Sequence, residues 1–95
     1  METDSSTIYY VYIIYSQDAD KYYKGYTQDP NTRLVQHNNG ESRYTSQFRP
    51  WILVYLEQFF SKREALIREK GLKKYSKEQV LRLITSPKNE ISSFG

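Results

Sequence analysis

Residues 9–27 read YYVYIIYSQDADKYYKGYT and hold seven of the ten tyrosines of this 95-residue chain. Two runs of mainly β-branched and aromatic residues, Ile8–Tyr15 and Tyr22–Thr27, flank the polar segment Ser16–Lys21. Such runs are typical of strands, and the polar break predicts a β-hairpin with a loop longer than two residues. We expect the rest of the chain to be organised around this hairpin.

Alternation along each strand predicts which side chains share a face of the hairpin. Tyr12 should share one face with Tyr10 and Ile14, and Tyr23 should share a face with Gly25 on the second strand. If the strands pair across the polar loop, Tyr12 and Tyr23 are expected to be cross-strand neighbours. Their hydroxyls would then point into one pocket.

The remaining sequence predicts one more strand and three helices. Asp29 can cap a short helix whose first turn accepts Pro30, and Gly40 suits its end. After the loop 40–50, a third strand rich in strand-forming residues is predicted at Trp51–Phe59.

Two serine-headed capping boxes predict the starts of the last two helices. Ser61 with Glu64 opens one helix, and Ser76 with Gln79 opens the other. The predicted ends of these helices are Leu72–Tyr75 and Ile84.

The predicted order is therefore strand, strand, helix, strand, helix, helix. This order indicates an α/β (α+β) domain with a small three-stranded sheet covered by helices. We expect the domain to span residues 8–84, between a disordered tail at 1–7 and a polar tail at 85–95.

Composition limits the class of protein. The chain has no cysteine, which excludes disulfides and cysteine-based zinc sites and favours an intracellular protein. It has no apolar run of membrane-spanning length, and its first residues are polar rather than signal-like. We therefore expect a cytoplasmic protein.

The charge is unevenly distributed although its formal total is only +3. Residues 1–31 carry two basic and five acidic groups, whereas residues 32–95 carry twelve basic and six acidic groups. Seven of the basic residues lie between Lys62 and Lys77. A basic face of this kind fits a phosphate-backbone partner, and an ordinary solvated helix surface is the alternative interpretation.

Glu69 is the most informative charged residue. On a helical wheel its position falls inside an apolar stripe formed by Ala65, Leu66 and Leu72. A buried carboxylate needs a cation or hydrogen-bond donors. Lys73, one turn later, is the structural candidate for that partner. A divalent ion is the functional candidate, because Mg²⁺ is commonly held by one carboxylate together with waters and a substrate phosphate.

Arg33 and His37 are stacked one turn apart on the first predicted helix. The planar guanidinium of Arg33 suits a phosphate, and an ordinary exposed arginine is the alternative. A lone histidine is more often a packing or surface residue than a catalyst. The shared face with Arg33 is what makes His37 a candidate for catalysis.

These motifs together resemble the GIY-YIG nuclease family, and in particular a small stand-alone bacterial subfamily. That family carries a Gly-Ile-Tyr triplet on the first hairpin strand and a Tyr-Ile-Gly triplet on the second. Here Tyr10-Val11-Tyr12 and Tyr23-Lys24-Gly25 stand in their places. The spacing from Gly25 to Arg33 and then to His37 also resembles the family, as does Ala65-Leu66-Ile67-Arg68-Glu69 around its metal-binding glutamate.

The chain also departs from the family pattern at four positions. Tyr10 replaces the leading glycine, and Lys24 replaces the second isoleucine. Leu81 stands at about the spacing where many family nucleases carry an asparagine, and Tyr26 stands where a lysine is common. These differences affect the expected catalytic power rather than the expected fold.

The resemblance implies a mainly antiparallel sheet and a metal-dependent endonuclease acting on nucleic acid, with DNA repair or recombination as the expected setting. Tyr12 would be the general base, which requires a nearby cation to lower its pKa from about 10. Tyr23 would orient the water or phosphate, and Arg33 would stabilise phosphoryl charge. His37 would assist proton transfer or phosphate binding, and Glu69 would hold one Mg²⁺ or Mn²⁺ ion.

Basic and aromatic residues outside this set are expected to contact nucleic acid, by backbone neutralisation or by base stacking. They are Lys24, Arg43, Tyr44, Phe48, Arg49, Lys70, Lys73 and Lys74. A protein partner that supplies specificity is also compatible with a chain of this size. Two alternatives remain: a non-catalytic nucleic-acid-binding module on the same fold, and a protein-interaction domain whose tyrosines and arginines are simply surface residues.

Overall fold

The computed structural model of the protein describes residues 7–94. Residues 1–6, where most of the expected disordered tail falls, lie outside the described part. Three strands form one antiparallel sheet in the order β2-β1-β3: β1 (Tyr9–Ser16), β2 (Lys21–Thr27) and β3 (Ile52–Phe59). Three helices are α1 (Pro30–Asn38), α2 (Lys62–Leu72) and α3 (Lys77–Ile84). The predicted fold class and element order are confirmed.

The helix starts follow the local signals in the sequence. The carboxylate of Asp29 accepts a hydrogen bond from the Thr32 backbone N–H at 3.2 Å, and Pro30 occupies the first helical position of α1. The capping box of α3 is complete, because the Ser76 hydroxyl accepts from Gln79 and the Gln79 side chain accepts from the Ser76 backbone. These caps satisfy N–H groups that the helix itself leaves unpaired.

The start of α2 differs from its prediction in one respect. The Ser61 hydroxyl accepts from the Glu64 backbone N–H at 3.1 Å, as expected. Within residues 7–94, however, no return bond from the Ser61 backbone to the exposed Glu64 carboxylate is formed. The serine cap alone therefore begins this helix.

The sheet lies between two layers. Its side chains point alternately to the two faces and contribute to two separate hydrophobic cores. One face packs Val11 and Ile13 of β1 against α2 and α3. The other face packs Tyr12 and Ile14 against Leu34 of α1, a 3₁₀ turn at residues 45–48 and the C-terminal segment. The predicted alternation along β1 thus places Tyr12 on the face that α1 covers.

Leu66, which the helical wheel placed in an apolar stripe, is exposed instead, and so is Leu81. Leu66 of α2 is 36% exposed and Leu81 of α3 is 50% exposed, whereas Leu72 and Val80 are buried. Each helix buries only the narrow side that faces the sheet, so a residue at the margin of the wheel remains in solvent. None of the helices in the described range has the length and apolar character needed to cross a membrane.

The polar segment 85–94 folds back onto the sheet. The Asn89 side chain accepts from the Leu56 backbone N–H at 3.1 Å and donates to the Val54 carbonyl at 2.9 Å. The Glu90 backbone N–H donates to the Leu56 carbonyl at 2.7 Å. Phe94 packs edge-on against Tyr10, with ring centroids 5.5 Å apart.

Candidate active site

The hairpin register places the two signature tyrosines diagonally on one face of the sheet. Tyr12 lies opposite Gly25, and Ile14 lies opposite Tyr23. Tyr12 and Tyr23, the expected cross-strand neighbours, are therefore offset by two residues along the strands and are not directly opposed. Their ring centroids are 6.5 Å apart. This distance is within the range in which aromatic rings interact across a sheet.

Gly25 provides the space that the Tyr12 side chain occupies. A Cβ atom at Gly25 would lie 2.5 Å from the Tyr12 hydroxyl oxygen and 2.7 Å from the ring carbon that bears it. Both distances are far below van der Waals contact. The glycine of the second triplet is therefore required so that the Tyr12 phenol can lie across β2.

His37 lies beneath the two tyrosines and is fully buried. Its Nε2 atom is 2.9 Å from the Tyr12 hydroxyl oxygen, and its Nδ1 atom is 2.7 Å from the Thr45 hydroxyl oxygen. Its ring also packs edge-on against Tyr23, with centroids 5.2 Å apart. Because the imidazole is covered on all these sides, direct contact with a phosphate would require rearrangement, whereas proton exchange with Tyr12 would not.

Burial moves the pKa values of this pair in opposite directions. It raises the pKa of Tyr12 to about 12, although the Arg33 guanidinium acts against that rise. Burial, with a smaller contribution from the charge of Arg33, lowers the pKa of His37 to about 4. Both groups are therefore neutral near pH 7. The expectation that a nearby cation brings the pKa of Tyr12 below its ordinary value is wrong for the free protein.

Arg33 lies close enough to the pair for its charge to act on both partners. One guanidinium nitrogen of Arg33, Nη1, donates to the Gln36 side-chain oxygen at 3.0 Å. This bond holds one end of the guanidinium group in place. The side chain is only partly buried, so its remaining donors are available to an anion. Arg33 is thus a cation whose charge acts on the Tyr12 phenol.

Glu69 lies on α2, the helix that covers the face of the sheet opposite to the one that carries Tyr12. Its side chain is 13% exposed, and its Oε2 atom lies 3.4 Å from Nζ of Lys73. Its negative charge contributes to the raised pKa of Tyr12. The predicted partial burial of this carboxylate is therefore found, together with the lysine that we had considered as its structural partner.

The described residues contain no cluster of three or more His, Cys, Asp or Glu side chains that could enclose a metal ion. A single carboxylate is nevertheless a suitable donor set for Mg²⁺, which retains waters and binds substrate phosphate directly. Glu69 fits that arrangement by its chemistry and its partial burial. Lys73 competes for the same carboxylate.

The candidate nucleic-acid contacts fall into two groups. One group lies near Tyr23, where the exposed ring of Tyr44 is 6.2 Å from the Tyr23 ring and 5.3 Å from Phe48. Arg43 and Arg49 are exposed in the same loop. The other group lies at the C-terminal end of α2 and just beyond it, where Lys70, Lys73 and Lys74 are all exposed.

Lys24 belongs to neither group. It pairs with Ile13 and therefore points to the face of the sheet that α2 covers, away from Tyr23. Partial burial lowers the pKa of Lys24. The position of Lys24 therefore supports a contact with phosphate less than the positions of the other expected residues do.

Three residues that support the site were not recognised in the sequence. Thr45 is fully buried against His37, and its carbonyl accepts from the Trp51 indole N–H at 2.8 Å. The Asn38 side chain pairs with both backbone groups of Trp51, at 2.7 and 3.0 Å. Thr45 lies in a loop of mixed polarity without a periodic signal, and the contacts between Asn38 and Trp51 join segments 13 residues apart, so only the tertiary structure identifies these roles.

Comparison with protein families gives a match to the GIY-YIG catalytic domain over residues 8–82. A UPF0213 protein of Staphylococcus epidermidis is 43% identical over 77 residues, which cover 80% of this chain and 93% of the relative. A UPF0213 protein of Staphylococcus saprophyticus is 42% identical over 78 residues, covering 81% of this chain and 94% of the relative.

A solved structure is similar over nearly the whole length. It is the solution NMR structure of a UPF0213 protein from Bacillus halodurans, with 33% sequence identity and a TM-score of 0.52. The alignment covers 93% of this chain and 97% of the other. Sequence and fold comparisons therefore point to the same group of small proteins.

Proposed function

The chain belongs to the GIY-YIG family, within the UPF0213 group, and from this membership we propose that it is a metal-dependent endonuclease that hydrolyses phosphodiester bonds in nucleic acid. The observation that carries the proposal is the bond of 2.9 Å between the Tyr12 hydroxyl and His37. This bond joins two groups with strongly shifted pKa values, and such shifts are concentrated at functional sites.

Tyr12 is the proposed general base. Its pKa of about 12 makes the free phenol a poor base unless its own proton has somewhere to go. Nε2 of His37 provides that acceptor at 2.9 Å. The attacking water transfers a proton to the Tyr12 oxygen while the phenol proton moves to Nε2, so no free phenolate is needed.

The low pKa of His37 is compatible with this role because it describes the protein without substrate. A phosphodiester carries one negative charge, and a nearby anion stabilises an imidazolium. Substrate binding beside Arg33 would therefore raise the pKa of His37 at the moment when it must accept a proton. Arg33 places a fixed positive charge where the phosphoryl oxygens gain charge, and Tyr23 orients the water or phosphate.

Glu69 is the proposed ligand of one Mg²⁺ or Mn²⁺ ion. A divalent ion bound there would neutralise charge on the phosphate and on the leaving oxygen. Lys73 must then release the carboxylate, and a released ammonium on the surface of α2 is free to contact the nucleic-acid backbone.

DNA is the proposed substrate, in a repair or recombination setting, and a cytoplasmic location is part of the proposal. The exposed arginines of the 40–50 loop and the lysines of α2 support a phosphate-backbone partner. Tyr44 and Phe48, next to Tyr23, suit stacking on bases. A protein partner that adds specificity remains compatible with this surface.

A non-catalytic nucleic-acid-binding module is the second candidate. The ion pair between Glu69 and Lys73 favours it, because the pair satisfies the carboxylate without any metal. Leu81, at about the position where many family nucleases have an asparagine, favours it too.

A cleavage assay separates the two candidates. Supercoiled plasmid, branched DNA and single-stranded DNA and RNA are incubated with the protein in Mg²⁺, in Mn²⁺ and in chelator. The endonuclease proposal expects metal-dependent cleavage that Tyr12→Phe abolishes. Binding to the same substrates without cleavage in either metal would leave the module as the correct interpretation.

A further inference from the structure

We propose that Thr45 is a positioning residue that fixes the tautomer of His37, with the proton on Nδ1 and the lone pair of Nε2 directed at Tyr12. The inference rests on the proposed function, and it adds a residue that no sequence motif indicates. Its basis is the chain of contacts in which Nδ1 lies 2.7 Å from the Thr45 hydroxyl and Nε2 lies 2.9 Å from the Tyr12 hydroxyl.

Thr45 is held firmly enough to act on the imidazole. It is fully buried at the start of the 3₁₀ turn 45–48, and its carbonyl accepts from the Trp51 indole at 2.8 Å. Trp51 is itself fixed through Asn38 on α1, the helix that carries His37. The turn and the helix therefore keep the hydroxyl and the imidazole in one arrangement.

The proposed direction of the hydrogen bonds gives the Tyr12 proton an acceptor, because Nε2 of His37 lies within hydrogen-bond distance of the Tyr12 hydroxyl. The Thr45 hydroxyl has one proton, and this arrangement directs it to the Ser42 carbonyl, which is 3.5 Å away at the outer limit of hydrogen bonding. A lone pair of the hydroxyl oxygen then faces Nδ1. A neutral imidazole has one donor and one acceptor nitrogen, so an N–H at Nδ1 leaves Nε2 as the acceptor for the Tyr12 proton.

The choice of tautomer matters because only one of the two allows the proposed proton transfer. With the proton on Nε2, the imidazole would donate to the Tyr12 oxygen and could not accept the phenol proton. In triads of Ser, His and Asp, the third residue likewise holds the imidazole in the productive tautomer. A neutral hydroxyl in that place orients the ring without stabilising an imidazolium, which suits a histidine that is neutral until substrate binds.

The experiment is ¹⁵N NMR of the imidazole, combined with the cleavage assay. His37 is the one histidine of the chain, so its ring signals need no assignment. The wild-type protein is expected to show the tautomer protonated at Nδ1. Thr45→Val, which keeps the size of the side chain but removes the hydroxyl, is expected to shift the ring towards the other tautomer and to slow cleavage at least about tenfold.

Matched variants keep the test specific. Thr45→Ser retains the hydroxyl and is expected to restore both the tautomer and the rate. Thr85→Val removes a threonine hydroxyl that contacts only carbonyls in the last turn of α3, and it should change neither. If valine at position 45 prevents folding, the comparison of Thr45→Ala with Thr45→Ser provides the same test.

The outcomes separate this inference from the proposed function. An unchanged tautomer in Thr45→Val overturns the inference, and so does an unchanged cleavage rate despite a shifted tautomer. A shifted tautomer in a protein that cuts no nucleic acid supports the positioning of the ring by Thr45 and refutes the nuclease instead. A shift in tautomer, a loss of rate and rescue by serine together support both.

Discussion

The hydroxyl of Tyr12 on β1 lies 2.9 Å from Nε2 of His37 on α1. In the sequence, the whole of β2 lies between these two elements. Burial raises the pKa of the phenol to about 12 and lowers that of the imidazole to about 4. The pair is therefore neutral and hydrogen-bonded near pH 7, and in the proposed mechanism the charge of the substrate favours transfer of its proton. The predictions below test that pair and the residues around it.

Removal of the Tyr12 hydroxyl should abolish cleavage and leave the fold intact. Tyr12→Phe keeps the ring that packs across Gly25 but loses the base, so we expect the rate to fall by about 10²- to 10⁴-fold. Tyr15→Phe is the matched control, because the Tyr15 hydroxyl donates to Asp20 at the surface. Cleavage kinetics and circular dichroism measure the two effects. A Tyr12→Phe protein that cuts at the wild-type rate would exclude Tyr12 as the base.

Neutralising Glu69 should remove the metal dependence of the reaction. Glu69→Gln keeps the shape of the side chain but is a weak ligand, so we expect a loss of about 10²- to 10³-fold in rate at saturating Mg²⁺. The lost contact with the exposed Lys73 should cost less than about 1 kcal/mol in the free energy of unfolding. Glu64→Gln, an exposed site at the start of α2, is the control. Equal Mg²⁺ titration curves for wild type and Glu69→Gln would rule out this ligand.

A methyl group at Gly25 should disturb Tyr12 directly. Its Cβ would lie 2.5 Å from the Tyr12 hydroxyl, so Gly25→Ala is expected to lower the free energy of unfolding by about 1–3 kcal/mol. Gly71→Ala is the matched control, because nothing lies within 4 Å of a Cβ there, and alanine should stabilise α2 by up to about 1 kcal/mol. Urea denaturation compares them. If both substitutions had the same effect, the close approach of Tyr12 to Gly25 would be wrong.

Stability should depend on pH through His37. Its ordinary pKa is 6.5 and its pKa in the folded protein is about 4, so between these values the unfolded chain binds a proton that the folded chain does not. The free energy of unfolding should therefore fall as the pH is lowered from 6.5 to 4, by about 2–3 kcal/mol in total. Urea denaturation at pH 7.5, 5.5 and 4.5 measures it. His37→Gln should lack this dependence, and an equally steep loss in that variant would assign it to other groups.

Nucleic-acid binding should be strongly salt-dependent. Each phosphate contact contributes about −0.9 to the slope of log affinity against log salt concentration for duplex DNA. Replacing both Arg43 and Arg49 with Gln should therefore make the slope shallower by about 1–2. Lys88→Gln, near the C-terminal end of the described chain, is the control. Fluorescence anisotropy from 50 to 300 mM salt tests this, and an unchanged slope in the double variant would remove these arginines from the interface.

Much of the fold was predictable because its signals are local. The hairpin follows from period-two alternation, and Asp29, Ser61 and Ser76 each cap the helix that the sequence placed after them. Convergence of the two tyrosines with Arg33 was also expected. The hairpin and the caps depend on neighbours a few residues away, which a single sequence contains, whereas the convergence was implied by the resemblance to the family.

The rest depends on contacts between distant segments. The diagonal offset of Tyr12 and Tyr23 is fixed by the strand register. The alternation of side chains does not determine this register, because registers that differ by two residues place the same side chains on the same face. A general base at Tyr12 requires a nearby cation to lower the pKa of the phenol, yet burial outweighs the charge of Arg33 and raises it. Thr45 gave no signal, because its role depends on a loop that packs beneath α1.

The return of the C-terminal segment has a consequence for solubility. β2 and β3 are both edge strands, and an open edge can recruit strands from other molecules. On β3, the outward-facing backbone N–H and carbonyl of Leu56 are hydrogen-bonded to Asn89 and Glu90. The backbone at the centre of this edge is therefore not free to pair with another strand. The side chain of Asn89 and the backbone N–H of Glu90, in a segment whose sequence resembles a polar tail, thereby oppose intermolecular strand pairing at this edge.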